Sequence, residues 1–180
     1  MIRKLVDEFR ARRRRRYLDV LRSRGMKIGA GTTIEDGFFF DPSHCYLIEI
    51  GPNCTLAPNV RLVAHDASTK RLLGATRLGR ITIEEGCFIG DSVIILPNVT
   101  IGRSSILGAG SIVTRAVPPG SVAVGSPARV LCSVDDFRQR QSALFASART
   151  FSSEYWDENA NAAMLTELAE AAARGVIFID

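Results

Sequence analysis

From Ile83 the sequence divides into sixes: IEEGCF, IGDSVI, ILPNVT, IGRSSI, LGAGSI, VTRAVP and PGSVAV. The first position is aliphatic in six of these seven units, and the fifth is small or β-branched: Cys87, Val93, Val99, Ser105, Ser111, Val117 and Ala123. Two earlier patches obey the same rule, IGAGTT and IEDGFF from Ile28, then IGPNCT, LAPNVR and LVAHDA from Ile50. A period of six matches neither the 3.6 of an α-helix nor the 2 of an alternating strand. It matches a coil with three flat faces, one hexapeptide per face, whose turns stack at about the 4.8 Å strand spacing. First-position aliphatics then form ladders inside a prism, and the fifth position stays small because the interior narrows there. Gly and Asn suit the corners, where a positive φ is cheap for them.

The phase slips twice. From Phe40 to Ile50 the step is 10 rather than 12, which predicts a coil that is pinched or bulged. From Leu62 to Ile83 it is 21 rather than 18, so residues 66–80 are expected to leave the coil as an excursion loop. Loops on a rigid scaffold commonly carry function. The expected organisation is a helical cap with an arginine run over 1–27, a mainly-β solenoid over 28–131, and a helical extension over 132–180. Within that extension helices are predicted near 134–147 and 160–174, and the tail VIFI offers a short strand.

With 46% hydrophobic and 23% charged residues the composition is globular rather than disordered. No segment approaches the roughly 18 apolar residues of a membrane span. No apolar run follows the basic N-terminus, so no secretory signal is expected and a cytoplasmic location is the default. Cys45, Cys54, Cys87 and Cys132 form no CxxC pair, which predicts reduced, mostly buried thiols and no metal or disulfide role. The net charge of +4 hides an unbroken run, Arg12 to Arg16, within FRARRRRRYLDVLRSRG. Such a run is the solvated face of a helix with Leu5, Phe9, Tyr17 and Leu21 as its apolar contacts, or it attracts an anionic membrane, a nucleic acid or an acidic glycan. Nucleic acid is set aside, because no binding motif or aromatic interleaving accompanies the arginines.

The stretches IGPNCTLAPNVRLVAHD and ITIEEGCFIGDSVIILPNVTIGRSSILGAGSIVTRAVPPGSVAVGSPARVL, in that order, resemble the hexapeptide-repeat (isoleucine-patch) acyltransferases. The branch most similar to them comprises maltose-, galactoside- and serine-type O-acetyltransferases and those that decorate bacterial polysaccharides. The resemblance covers residues 28–131 and leaves out the arginine run. It implies a left-handed parallel β-helix, a homotrimer, acetyl-CoA bound in the groove between neighbouring prisms, and an acceptor entering beside a loop-borne histidine. The period of six alone would equally build a structural solenoid.

Acyl transfer from a thioester to a sugar hydroxyl needs a base, and histidine is suited to that task near neutral pH. Only His44 and His65 exist. The resemblance assigns catalysis to His65, in the last repeat unit before the loop; without it, His65 would read as a surface histidine at a loop root. Asp66 occupies a fifth position, where it would orient a nearby imidazole, contact the acceptor or cap the loop. His44, in FFFDPSHCY, lines an acceptor pocket or packs structurally.

For coenzyme A, the resemblance sets Ala109 and Ser111 of GAGS beside the pantetheine and Thr114 and Arg115 of VTR toward the adenosine end. Arg129 of SPARV falls near a phosphate, for which guanidinium offers forked donors. Many relatives carry Lys in place of Arg115 and a second basic residue after PARVI, which VLCSVDD lacks. Phe88 stands where some relatives have a tryptophan that walls the active site.

Three functions compete: O-acetylation of a sugar, polysaccharide or glycoconjugate precursor by direct transfer; N-acetylation of a nucleotide-linked amino sugar on the same scaffold; and a non-acetylating β-helix. A zinc enzyme of the third kind needs three histidines and the chain has two. A bare scaffold has no reason to match the CoA-end motif. Nucleotide-sugar enzymes often carry an extra N-terminal α/β domain, for which about 27 residues before the first repeat are too few. The balance favours O-acetylation, with acetyl-CoA as donor and no metal.

Overall fold

The computed structural model describes residues 2–156 and 160–180. The chain forms two compact units, Met1–Val134 and Asp135–Asp180. The first is a left-handed parallel β-helix whose short strands stack on three faces. Lys27–Ile28, Ile48–Ile50, Ile81–Ile83 and Val99–Ile101 make the first face. Thr33–Ile34, Thr55–Leu56, Phe88–Ile89, Ile106–Leu107 and Ser121–Gly125 make the second, and Phe39–Phe40, Arg61–Leu62, Ile94–Ile95 and Ile112–Val113 the third.

Register stacks the first position of each hexapeptide on the one below. The ladders are Ile28, Ile50, Ile83, Ile101; Ile34, Leu56, Ile89, Leu107; and Phe40, Leu62, Ile95, Val113. All but Ile28 are buried, and each fully buried aliphatic contributes about 1.5–3 kcal/mol. The small fifth positions Cys54, Val60, Cys87, Val93, Val99, Ser105 and Ser111 fill the interior between them. All four cysteines are free.

Two of the three corners repeat without change. Gly31, Asn53, Gly86, Ser104 and Gly120 form one column of positive-φ residues, and Gly37, Asn59, Ser92 and Gly110 form the other. Each turn donates to the one beneath, as Asn53 N–H does to the Ala30 carbonyl at 2.9 Å and Gly86 N–H to that of Pro52 at 3.0 Å.

The third corner, between the third face and the first, is different on almost every coil. Its passage takes ten residues from Phe40 to Ile50, twenty-one from Leu62 to Ile83, six from Ile95 to Ile101, and four from Val113 to Val117. This corrects the counts expected from the sequence. Phe40 to Ile50 spans one side rather than two, so it is an insertion and not a pinch. Residues after Leu62 exceed a regular side by fifteen, the length of the loop expected over 66–80.

The last slip escaped the sequence reading altogether. Val117 pairs with Ile101, and Ala123 with Leu107, so both belong to the first-position ladders rather than to the fifth position. Ser121 takes the fifth place, buried, with its N–H donated to Ser105 Oγ at 3.3 Å. The cause is the two-residue shortening of the corner at 114–116.

Helix α1 (Ile2–Ser23) closes the bottom of the prism. Its contacts are Leu18 and Leu21, both buried with Met26 and Cys45. Of the other expected apolar contacts, Tyr17 packs its ring 5.8 Å from that of Phe38, whereas Leu5 and Phe9 are exposed. In the second insertion, His65–Asp66 pairs antiparallel with Arg77–Leu78, and α2 (Lys70–Leu73) forms the tip. At the top, Ala128–Ser133 turns back antiparallel on Ser121–Gly125.

The second unit carries α3 (Val134–Ser147) and α4 (Ala162–Ala172), where helices were predicted. Asn161 caps α4, its Oδ1 accepting from the N–H groups of Ala163 and Met164 at 3.0 Å. The tail strand Ile177–Ile179 pairs in parallel with Arg149–Phe151.

Candidate functional site

Because the third corner holds both insertions on consecutive coils, it stacks side chains that are far apart in sequence. Asp41 follows the last rung of the first coil, and its N–H still donates to the Leu62 carbonyl at 3.0 Å. Its carboxylate is therefore turned under the segment that leads out of the second coil. The Ala64 N–H donates to Asp41 Oδ2 at 3.1 Å, and His65 Nδ1 lies 2.5 Å from the same oxygen. The His44 N–H donates to Asp41 Oδ1 at 3.3 Å.

Asp41 is fully buried. Burial raises its pKa, but the hydrogen bond and charge of His65, with the His44 N–H, outweigh that and hold it below the ordinary carboxylate range. An ionised Asp41 only accepts, so Nδ1 of His65 carries its hydrogen and Nε2 is left as the ring's acceptor. The His65 side chain is 36% exposed, so the ring is open to solvent while its partner is sealed.

His44 joins this pair. Its ring lies 5.1 Å from that of His65, and its Nδ1 is buried, 3.6 Å from Asp41 Oδ1, without a hydrogen-bond partner among the described residues. Asp41, His44 and His65 each offer a ligand atom within 4.8 Å of the others. Asp66 points elsewhere: its carboxylate accepts from the Ser68 N–H at 2.9 Å and from Arg77 at 2.7 Å, which lowers its pKa and pins the root of the loop.

Above the His–Asp pair the same corner continues as a cleft of about 590 Å³ lined by Arg77, Leu78, Leu96, Pro97, Asn98, Thr114 and Arg115. Leu78 is the direct strand partner of His65, so the cleft begins at the hairpin. Thr114 and Arg115 reach it because the shortened turn of the fourth coil draws them over the regular turn at Asn98. The remaining sequence candidates lie on other parts of the prism. Ala109 is exposed beside Gly110 at the corner between the second and third faces. Ser111 is buried, its hydroxyl donating to Gly108 O at 2.6 Å and accepting from the Gly125 N–H at 3.1 Å. Phe88 is exposed on the second face, and Arg129 on the closing strand, where its Nη1 donates to the Ala128 carbonyl at 2.9 Å.

Sequence reasoning thus found both histidines but missed Asp41, the residue that orients His65. An acidic residue at a second repeat position, next to the first phase slip, was the available signal.

Residues 80–115 match the family model described as bacterial transferase hexapeptide (six repeats). The chain is 39% identical over 120 residues to the galactoside O-acetyltransferase of Escherichia coli K12, across 63% of this chain and 58% of that one. A hexapeptide-repeat acetyltransferase of Vibrio cholerae, solved with acetyl-CoA, is similar with a TM-score of 0.54 and 32% identity, over 61% of this chain and 60% of the other. A maltose O-acetyltransferase of Clostridium difficile 630 is similar with a TM-score of 0.52 and 28% identity, over 64% and 73%. The chain spans about half the length of the curated relatives it matches, 45–58% for the first three.

Proposed function

This chain belongs to the hexapeptide-repeat acetyltransferase family, and we propose that it moves an acetyl group from acetyl-CoA to a hydroxyl of a sugar or glycan precursor, with His65 as general base. The observation that carries this reading is the buried Asp41 carboxylate 2.5 Å from His65 Nδ1, at the foot of a cleft in the corner where the coil is interrupted. Its relatives named above act in acetyl transfer, and one is solved with acetyl-CoA.

The steps follow from that pair. Asp41 fixes the tautomer, so Nε2 of His65 accepts the proton of the acceptor hydroxyl as its oxygen attacks the thioester carbonyl carbon. The imidazolium formed is stabilised by the ionised Asp41. The C–S bond then breaks, the CoA sulfur takes the proton from Nε2, and the products are the O-acetyl ester and free CoA. No enzyme cysteine enters this scheme: Cys54 and Cys87 are sealed inside the prism. Acetyl-CoA is held by Thr114 and Arg115 in the corner cleft, with Ala109 and Arg129 contributing from the other faces, while the buried Ser111 supports that wall from inside the prism. These faces converge only if two prisms share a groove, which favours the homotrimer. His44 and Phe88 border the acceptor, Asp66 acts only by pinning the root of the loop beside it, and the supply of acetyl-CoA favours a cytoplasmic site of action.

The test is turnover with acetyl-CoA and a panel of galactosides, maltose and acidic glycans, read as free thiol and acetyl ester. His65→Ala should lose about 10²–10⁴-fold in turnover while binding of CoA stays within twofold. A variant keeping more than about a tenth of the rate with chemistry limiting would remove His65 from the role.

A further inference from the structure

Among the described residues, the outer half of α1 leaves several large apolar side chains uncovered. Leu5 is 60% exposed and Phe9 66%, and Val6 and Val20 are exposed as well. Further in along the axis, Arg12, Arg13, Arg15 and Arg16 are exposed and form no ion pair with the described residues. Arg14 differs: it is drawn inward to Asp36 at 3.0 Å and Glu35 at 3.7 Å, on the side where Leu18 and Leu21 bury. At about 100° per residue, Leu5, Phe9, Arg12, Arg13, Arg16 and Val20 fall within one third of the helix surface. Apolar and basic groups therefore share a face and are separated along the helix rather than around it.

We propose that this face is a peripheral anchor for an anionic lipid surface, with the helix lying along that surface. Leu5 and Phe9 go into the acyl boundary, and Arg12, Arg13 and Arg16 meet the phosphates. Arginine stems can lie along apolar surface while the guanidinium reaches the headgroups. A soluble acidic glycan would use the arginines but would leave Leu5 and Phe9 without a purpose, and the same holds for nucleic acid. The contact is peripheral, since among the described residues no helix is long and apolar enough to cross a membrane. This inference stands independently of the acetyl-transfer reading.

Co-sedimentation of the full chain with vesicles tests it. Binding is expected to vesicles mixing phosphatidylglycerol with phosphatidylcholine, not to phosphatidylcholine alone, and to weaken with salt. Replacing Arg12, Arg13 and Arg16 together by Gln should lower partitioning on the order of 100-fold. Leu5→Glu with Phe9→Glu should lower it by at least about tenfold. Both variants should keep the wild-type fold by circular dichroism and the wild-type turnover on soluble acceptors. Equal binding to neutral vesicles, or indifference to either variant, would overturn the anchor. So would heparin binding that ignores Leu5 and Phe9, which would assign the face to a soluble polyanion. A changed oligomer size in the Leu5/Phe9 variant without vesicles would assign it to a second copy of the chain.

Discussion

Asp41 holds a negative charge with no solvent contact, so its worth depends on three donors: Ala64 N–H, His44 N–H and the His65 ring. Asp41→Asn keeps the shape but withdraws the charge and frees His65 to take the other tautomer. Turnover should fall by about 10²–10⁴-fold. The acid dependence of stability carries a defined sign. The fold lowers the pKa of Asp41, so its contribution is complete above the ordinary value of about 3.9 and disappears as pH drops through the lower folded value. Chemical denaturation should show wild type more stable than Asp41→Asn by about 1–3 kcal/mol near pH 7, with the gap closing below about pH 4. A gap independent of pH would mean that packing, not ionisation, separates the two proteins. The sequence made His65 legible, since LVAHD opens the loop, but not its partner. Glu35 and Glu84 also stand at second repeat positions, and their side chains face outward. Only the three-dimensional cover of Asp41 by the Ala64 segment tells them apart.

Secondary-structure elements were legible wherever burial recurs every six residues, because an aliphatic ladder admits no other spacing. The interruptions were legible only in phase. A slip read from the repeat is known modulo six, so ten residues fit one side made longer or two sides made shorter, and the sequence cannot choose between them. The same ambiguity hid the four-residue passage to Val117, which suits either an inward fifth position or a first rung. The hairpin of the second insertion has few buried contacts and is held at its root by Asp66, Ser68 and Arg77. Asp66→Ala should therefore change global stability by less than about 1 kcal/mol, the scale of an exposed ion pair. Amide exchange over residues 67–76 should nevertheless speed up several-fold. Unchanged exchange there would mean that the Thr69–Ala75 bond and the strand pairing suffice to close the loop.

Across the whole molecule, the proposed donor residues occupy more than one face of the prism, and a single prism is convex. A groove between copies reconciles this, and a closed threefold ring satisfies every such groove equally. Light scattering should return three times the 19.6 kDa chain mass. Complementation offers a stricter test. If His65 and Arg129 act on one substrate from different copies, co-assembled His65→Ala and Arg129→Ala chains should regain activity, at about a quarter of the grooves in a random mixture. Activity no higher than that of either variant alone would put both residues in one copy's site, or leave Arg129 out of it.

The uneven corner has one more consequence. Both insertions fall on the lower two coils, with Asp41, His44, His65 and Asp66, whereas Ala109, Ser111, Thr114, Arg115 and Arg129 sit on the upper coils and closing strand. Length can change at that corner without moving a single rung, because each ladder is fixed by the faces on either side. Descent with modification can therefore change the half that carries the proposed acceptor residues by insertion and deletion while the half that carries the proposed donor residues keeps its rungs. A family built this way would diversify its customers far faster than its currency.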